Sequence, residues 1–334
     1  METNSPDFPI MDLHCDMLNY LAMVEGASPE DVDTIGCATP RLREGGVKLQ
    51  VMAVFVPTGA GSADTAFRQC RLFTRLNQDN DNDFFQVKKL HDVEIALSGP
   101  RTGIVPAIEN ASGLYEEDEP LDRSFSRLER IIESVGPVLY ISMTHHFENR
   151  FGGGNLSDVG LKDAGRALLD FLDNRKIAVD LSHTSDALAR GILDYVDQKN
   201  LDIPMLASHS NFRSICNHRR NLPDDLAMEV IRRQGVIGVN FVRDFIDSHD
   251  PQRLKEHIRY GWGMGATQAL CFGADFFYAL GNEGCDHKSY FFKEHEHAGK
   301  YPSIMRSLSD LFDPLGLAGL SHKNGIRFLK RIWS

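Results

Sequence analysis

Short apolar runs alternate with stretches of helical periodicity along the chain. The runs are 10–15 IMDLHC, 47–56 VKLQVMAVFV, 102–109 TGIVPAIE, 138–145 VLYISMTH, 177–183 IAVDLSH, 203–209 IPMLASH, 236–242 VIGVNFV and 269–276 ALCFGADF. Most are nearly continuous in apolar residues, as parallel strands buried on both faces should be. The intervening stretches LDRSFSRLERIIESVG and LKDAGRALLDFLDNRK repeat apolar residues at helical spacing. TPRLREGG offers Thr39 as a cap, Pro40 in the first turn and Gly45 as a stop, and SDALARGILDYV opens on the capping pair Ser185 and Asp186. Eight strands separated by helices predict an α/β chain, a (β/α)8 TIM-type barrel with loop insertions, folded as a single domain over 1–334. An open doubly wound sheet is disfavoured, because no glycine-rich phosphate loop follows the first strand.

Barrel enzymes take their reactive groups from the C-terminal ends of the strands. Those ends supply His14, Asp16, Glu109, His145, His183, His209 and Asp275. Alternation along a strand turns His14 and Asp16 to one face and Cys15 to the other, toward the helices. Four histidines and three carboxylates gathered at one barrel mouth predict a metal centre, for which imidazole and carboxylate donors suit zinc or a similar divalent ion. Other histidines read more plainly. HEHAGKY at 295–301 is expected to be a solvated loop, His146 to face away from His145, and His218 to be a loop residue. Asp180 is expected to orient a ligand or cap a turn rather than bind metal.

Composition narrows the partners. The 334 residues carry a net charge of −11, with 42% hydrophobic and 25% charged residues, which argues against nucleic acid and anionic membrane surfaces. No apolar run approaches the roughly 18 residues that a membrane span needs. The N-terminus lacks the charged and apolar regions of a secretory signal. Six scattered cysteines, Cys15, Cys37, Cys70, Cys216, Cys271 and Cys285, predict reduced thiols in a cytoplasmic protein.

The ordered motifs HCD, PAIEN, MTHHFENRFGGG, VDLSHTS, ASHSNFRSICNHRRNLPDD, VIGVNFV and HIRYGWGMGATQALCFGADF together resemble the membrane (renal) dipeptidase family of zinc metallopeptidases. TPRLREGGVKLQVMAVFVP is similar to that family's second strand and the helix before it, and the likeness runs from about residue 10 to the end of the chain. It implies a dinuclear zinc dipeptidase that hydrolyses dipeptides, L-Xaa-D-Xaa pairs included, through a metal-bridging hydroxide. By motif match, His14, Asp16 and Glu109 hold one Zn2+ and Glu109, His183 and His209 the other. His145 contacts the substrate carbonyl, Arg220 grips the terminal carboxylate, and Asp275 handles the proton. A homodimer is also implied. The chain departs from the family pattern after residue 276, in DFFYALG, and near its end, in SHKNGIRF, without losing a ligand.

Two alternatives stay open on the residues alone. One is a metal-dependent amidohydrolase of the same fold acting on N-acyl amino acids or another small amide. Barrels of that broader class often open on His-x-His, where this chain has His-x-Asp. The other is a non-catalytic barrel scaffold, which would purify without stoichiometric metal.

Overall fold

The computed structural model describes residues 8–78, 83–116, 119–278 and 290–334. Its parallel strands are β1 (Ile10–Cys15), β2 (Val47–Phe55), β3 (Phe84–Gln86), β4 (Thr102–Glu109), β5 (Tyr140–Ser142), β6 (Ala178–Asp180), β7 (Met205–Leu206), β8 (Ile237–Val239) and β9 (Leu270–Phe272). Eight of them run in the order β7-β6-β5-β4-β2-β1-β9-β8. A parallel bridge between Ala207 and Ile237 joins the ends and closes the barrel.

β3 is a ninth strand that the apolar pattern does not announce. It pairs with the first residues of β4, Phe84 opposite Thr102 and Gln86 opposite Ile104. β5 meets β4 only near its other end, at Ile108 and Ile141. The long β4 thus uses one edge twice, and β3 occupies the lower part. Three residues carry too little periodicity to stand out in the sequence.

The strand face rule sorts the core into two layers. Met52, Val54, Ile104, Ile108, Ile141 and Val179 join the helices in one buried cluster. Leu13, Leu49, Val51, Val105, Ala107, Tyr140, Ala178, Leu206 and Cys271 form a second, with Phe328, Leu329 and Ile332 of helix Asn324–Trp333 packed against it. Fully burying side chains of this size contributes about 1.5–3 kcal/mol each.

The predicted helices fall where expected: Thr39–Glu44, Leu121–Val135, Asp163–Leu172 and Asp186–Lys199. Ser185 caps the last, accepting from the Leu188 N–H at 2.9 Å. At the first, Ala38 is the cap and Thr39 is already helical. Among the described residues no helix is long and apolar enough to cross a membrane.

Candidate metal centre and active site

β1 departs from regular pairing before it reaches the site, with register breaks on either side of Met11 and Asp12. The Asp12 carboxylate accepts the His14 N–H at 2.9 Å, and also the Ala274 N–H and the Tyr301 hydroxyl. Asp12 therefore shapes the turn-out that aims His14, a role the sequence reading missed. Its signal was a carboxylate in the middle of an apolar strand. Cys15 is buried in the cluster that includes the helices, as expected, but not by alternation: Leu13, two residues before it, belongs to the other cluster, and the break in β1 between Asp12 and Cys15 separates them.

His14, Asp16 and Glu109 bring ligand atoms within 4.8 Å of one another, and Glu109, His183 and His209 do the same. Glu109 sits between the two groups. Its Oε2 lies 3.3 Å from His14 Nε2, and its Oε1 lies 2.8 Å from His183 Nε2 and 3.5 Å from His209 Nε2. Asp275 Oδ1 lies 3.7 Å from His14 Nε2. All six side chains are buried.

The three histidines of the two groups are each held through Nδ1. Tyr140 donates its hydroxyl to the Leu13 carbonyl at 2.9 Å and accepts from His14 Nδ1 at 2.7 Å. Ser208 donates to Asp180 at 2.5 Å and accepts from His209 Nδ1 at 2.6 Å. His183 Nδ1 reaches the Asn155 carbonyl oxygen at 3.4 Å. Fixing the proton on Nδ1 leaves each Nε2 lone pair pointing into the cluster, as a metal ligand requires. Two buried atoms there, His14 Nε2 and Asp16 Oδ1, have no hydrogen-bond partner. An orphaned imidazole nitrogen beside an orphaned carboxylate oxygen, in a mixed N/O donor set, fits a divalent cation. Asp180 holds His209 through Ser208: it accepts from Ser142, Ser182 and both the amide and hydroxyl of Ser208.

The charges are sharply sorted. Burial opposes ionisation of Glu109, but His14, His183 and His209 outweigh it and hold the carboxyl well below its usual range. Burial, reinforced by Glu109, raises Asp16 well above that range. Burial likewise raises Asp275 to about 6, with Glu109 adding and His14 and Arg220 opposing. At His14 burial is outweighed by Glu109, Asp16 and Asp275, and the pKa rises to about 10. Burial depresses His145 to about 3, helped by His146 and Arg220, so its imidazole is neutral at pH 7. Opposed shifts of neighbouring groups are a mark of acid–base sites.

Asp275 is anchored by Asn240, whose amide donates to Oδ2 at 2.8 Å. His183 and Asp275 both sit at φ 64°, a left-handed backbone that costs most residues free energy and persists where the surroundings impose it. Arg220 is 3% exposed, donates to Ser210 Oγ and the His209 carbonyl, and has no ion pair among the described residues. Its Nε has no partner. His218 accepts the Arg220 N–H at 3.1 Å and so helps set this arginine.

Two expectations fail. His146 does not face away from His145: their ring centroids lie 3.9 Å apart, and His146 Nδ1 shares Asn155 Oδ1 with His183 at 3.0 Å. β5 ends at Ser142, so strand alternation no longer governs residues 145 and 146. HEHAGKY is not solvated throughout: His295 is 5% exposed and packs on Phe241, because the segment leads directly into the buried Tyr301. Cys285 and the residues following DFFY up to 289 lie outside the described residues.

Over the cluster opens a cavity of about 460 Å3, whose lining includes Asp16, Glu109, His145, His146, His183 and Asp275. Phe55, Phe245, Phe277, Tyr278 and Tyr290 line it as well, and none was singled out from the sequence, where such aromatics read as core. Arg220 stands beside this lining, its guanidinium carbon 5.6 Å from the centroid of Phe245.

Against known proteins, dipeptidase aclJ of Aspergillus oryzae is 25% identical over 289 residues, which are 81% of this chain and 64% of that relative's length. The crystal structure of the family M19 metallopeptidase dipeptidase AC superposes with a TM-score of 0.83 at 19% identity, covering 98% of this chain and 99% of the other. A metallopeptidase of Rhodobacter sphaeroides, liganded with a phosphinate mimic of L-Ala-D-Ala, gives 0.81 at 18% identity over 98% and 99%. These likenesses agree with the barrel. The profile of the membrane dipeptidase family matches residues 5–333, and the chain belongs to that family, peptidase family M19.

Proposed function

We propose that the protein is a dinuclear zinc dipeptidase that cleaves free dipeptides, L-Xaa-D-Xaa pairs among them. The observation that carries this reading is Glu109, which turns one carboxylate oxygen toward His14 and the other toward His183 and His209. His14 and Asp16 would complete one ion's ligands, and His183 and His209 the other's. Such ions polarise a carbonyl and acidify water at neutral pH.

The chain's own groups account for the rest of the reaction. Arg220 fixes the substrate's terminal carboxylate, a task for which a planar guanidinium suits better than an ammonium. His145, neutral and facing Glu109 across 3.9 Å, donates an N–H to the carbonyl oxygen as negative charge develops there. Asp275 takes the proton of the attacking water and delivers it to the amine as the C–N bond breaks. Asn240 holds Asp275 in place through this transfer. The five described cysteines are free thiols, which supports a reducing, cytoplasmic location.

The test is a panel of L,L and L,D dipeptides assayed with and without a zinc chelator. Release of free amino acids that stops with the chelator and returns with zinc is expected. Tripeptides should be poor substrates; equal rates would remove Arg220 from its assigned role. If the purified protein binds metal and every dipeptide survives, the dipeptidase reading falls and N-acyl amino acids become the next panel.

A further inference from the structure

The cavity lining is of two kinds. Asp16, Glu109, His183 and Asp275 are polar, whereas Phe55, Val242, Phe245, Phe277, Tyr278 and Tyr290 are largely apolar, with Asp244 beside Phe245. The five rings of this second kind are all only partly buried. Partly wet aromatic faces around a cavity of about 460 Å3 form a surface that gains free energy when an apolar group covers it.

The position of Arg220 orients a substrate along this lining. The guanidinium carbon lies 5.6 Å from the Phe245 ring centroid, and the His218 ring lies 4.8 Å from the same ring. A residue whose carboxylate approaches Arg220 therefore brings its own side chain against Phe245. That ring is also firmly placed. It stands on the short helix Arg243–Ile246, where the Phe245 carbonyl accepts from the side-chain amides of Asn211 at 3.2 Å and Asn221 at 2.8 Å. His257 Nε2 donates to the next carbonyl, that of Ile246, at 3.0 Å. A pre-organised apolar face loses little freedom on binding.

We propose that this site selects dipeptides whose C-terminal residue carries a large, flat apolar side chain, and that Phe245 is the residue that determines this preference. The proposal rests on the dipeptidase reading for the orientation of the substrate. Its test compares kcat/KM for Ala-Phe and Ala-Ala, within each C-terminal configuration, in the wild type, Phe245→Leu and Phe245→Ala. The wild type should favour Ala-Phe by about tenfold or more. Phe245→Leu should keep part of that ratio, and Phe245→Ala should bring it close to one. Because the ratio is taken within each preparation, incomplete folding of a variant cancels. Calorimetry with non-hydrolysable phosphinate analogues of the two dipeptides supplies a readout independent of turnover. Cleavage of both dipeptides with a wild-type ratio of one or less, or an unchanged ratio in Phe245→Ala, overturns the preference and leaves the dipeptidase reading standing. If no dipeptide is cleaved but the aromatic analogue binds about tenfold tighter in a Phe245-dependent way, the dipeptidase reading falls and the aromatic subsite stands. Equal binding of the two analogues overturns the subsite as well.

Discussion

The two halves of the barrel hold their site residues by different means. On one side, β1, β2 and β4 span six, nine and eight residues. β2 and β4 pair without interruption from Leu49 and Gly103 to Phe55 and Glu109, so Glu109 comes to the mouth on a backbone ladder. On the other side, β6 to β9 are two or three residues long. There the chain is tied by side chains: Asp180 to three serines, Asn211 to the Asn240 backbone, Asn240 to Asp275. Gly238 and Gly273 press against the Ser208 carbonyl so closely that a Cβ at either would lie within 1.9 Å of it. A ladder delivers one side chain rigidly. A polar network can instead place residues with unusual backbone, such as His183 and Asp275, at the cost of many buried hydrogen bonds that must all be satisfied.

The largest effect should come from the residue that joins the halves. Glu109→Ala should reduce metal content in both ligand groups and cut kcat/KM by about a thousandfold or more, measured by metal analysis alongside the dipeptide assay. Retention of full metal and activity would break the comparison at its centre.

Asp180→Asn should act on the networked half. It replaces an acceptor of four hydrogen bonds with an amide that cannot accept them all, costing about 2–3 kcal/mol of stability. Chemical denaturation would measure that loss. An unchanged midpoint would mean that the network is decoration.

Tyr140→Phe and Ser208→Ala sharpen the contrast further. Each removes the Nδ1 partner of a single histidine, His14 or His209, and should weaken metal binding by about 10–100-fold. Competition with a graded chelator should show loss of one equivalent in each variant. Loss of both equivalents together would show that the two groups do not act separately.

The smallest effect is a pH dependence confined to the networked half. His257 accepts the Phe212 N–H and donates to the Ile246 carbonyl, and burial lowers its pKa to about 4. The folded state thus binds fewer protons than the unfolded state between pH 6.5 and 4. Stability is complete above about pH 6.5 and falls with pH through that window, by roughly 1 kcal/mol at pH 6 from this group. Denaturation midpoints at pH 8, 6 and 5, compared with His257→Gln, would test it. The variant should have the flatter profile.

The sequence by itself determined the barrel and its chemical groups. Seven reactive side chains stand at the ends of recognisable apolar runs, because strand periodicity is a local property of the chain, whereas the break in β1 that parts Cys15 from Leu13 is not written in that period. The conspicuous motifs also led to the right family. Tertiary structure decided everything that depends on which ends meet. Tyr140 lies 126 positions from His14, and Ala274 lies 262 from Asp12; no local pattern encodes such pairings. Closure of the barrel turned Glu109 between two groups, and the early end of β5 swung His146 toward the site. Packing of the 243–246 helix laid Phe245 over Arg220. Periodicity fixes the face of an element, whereas the neighbours of that face follow from how the elements close on one another.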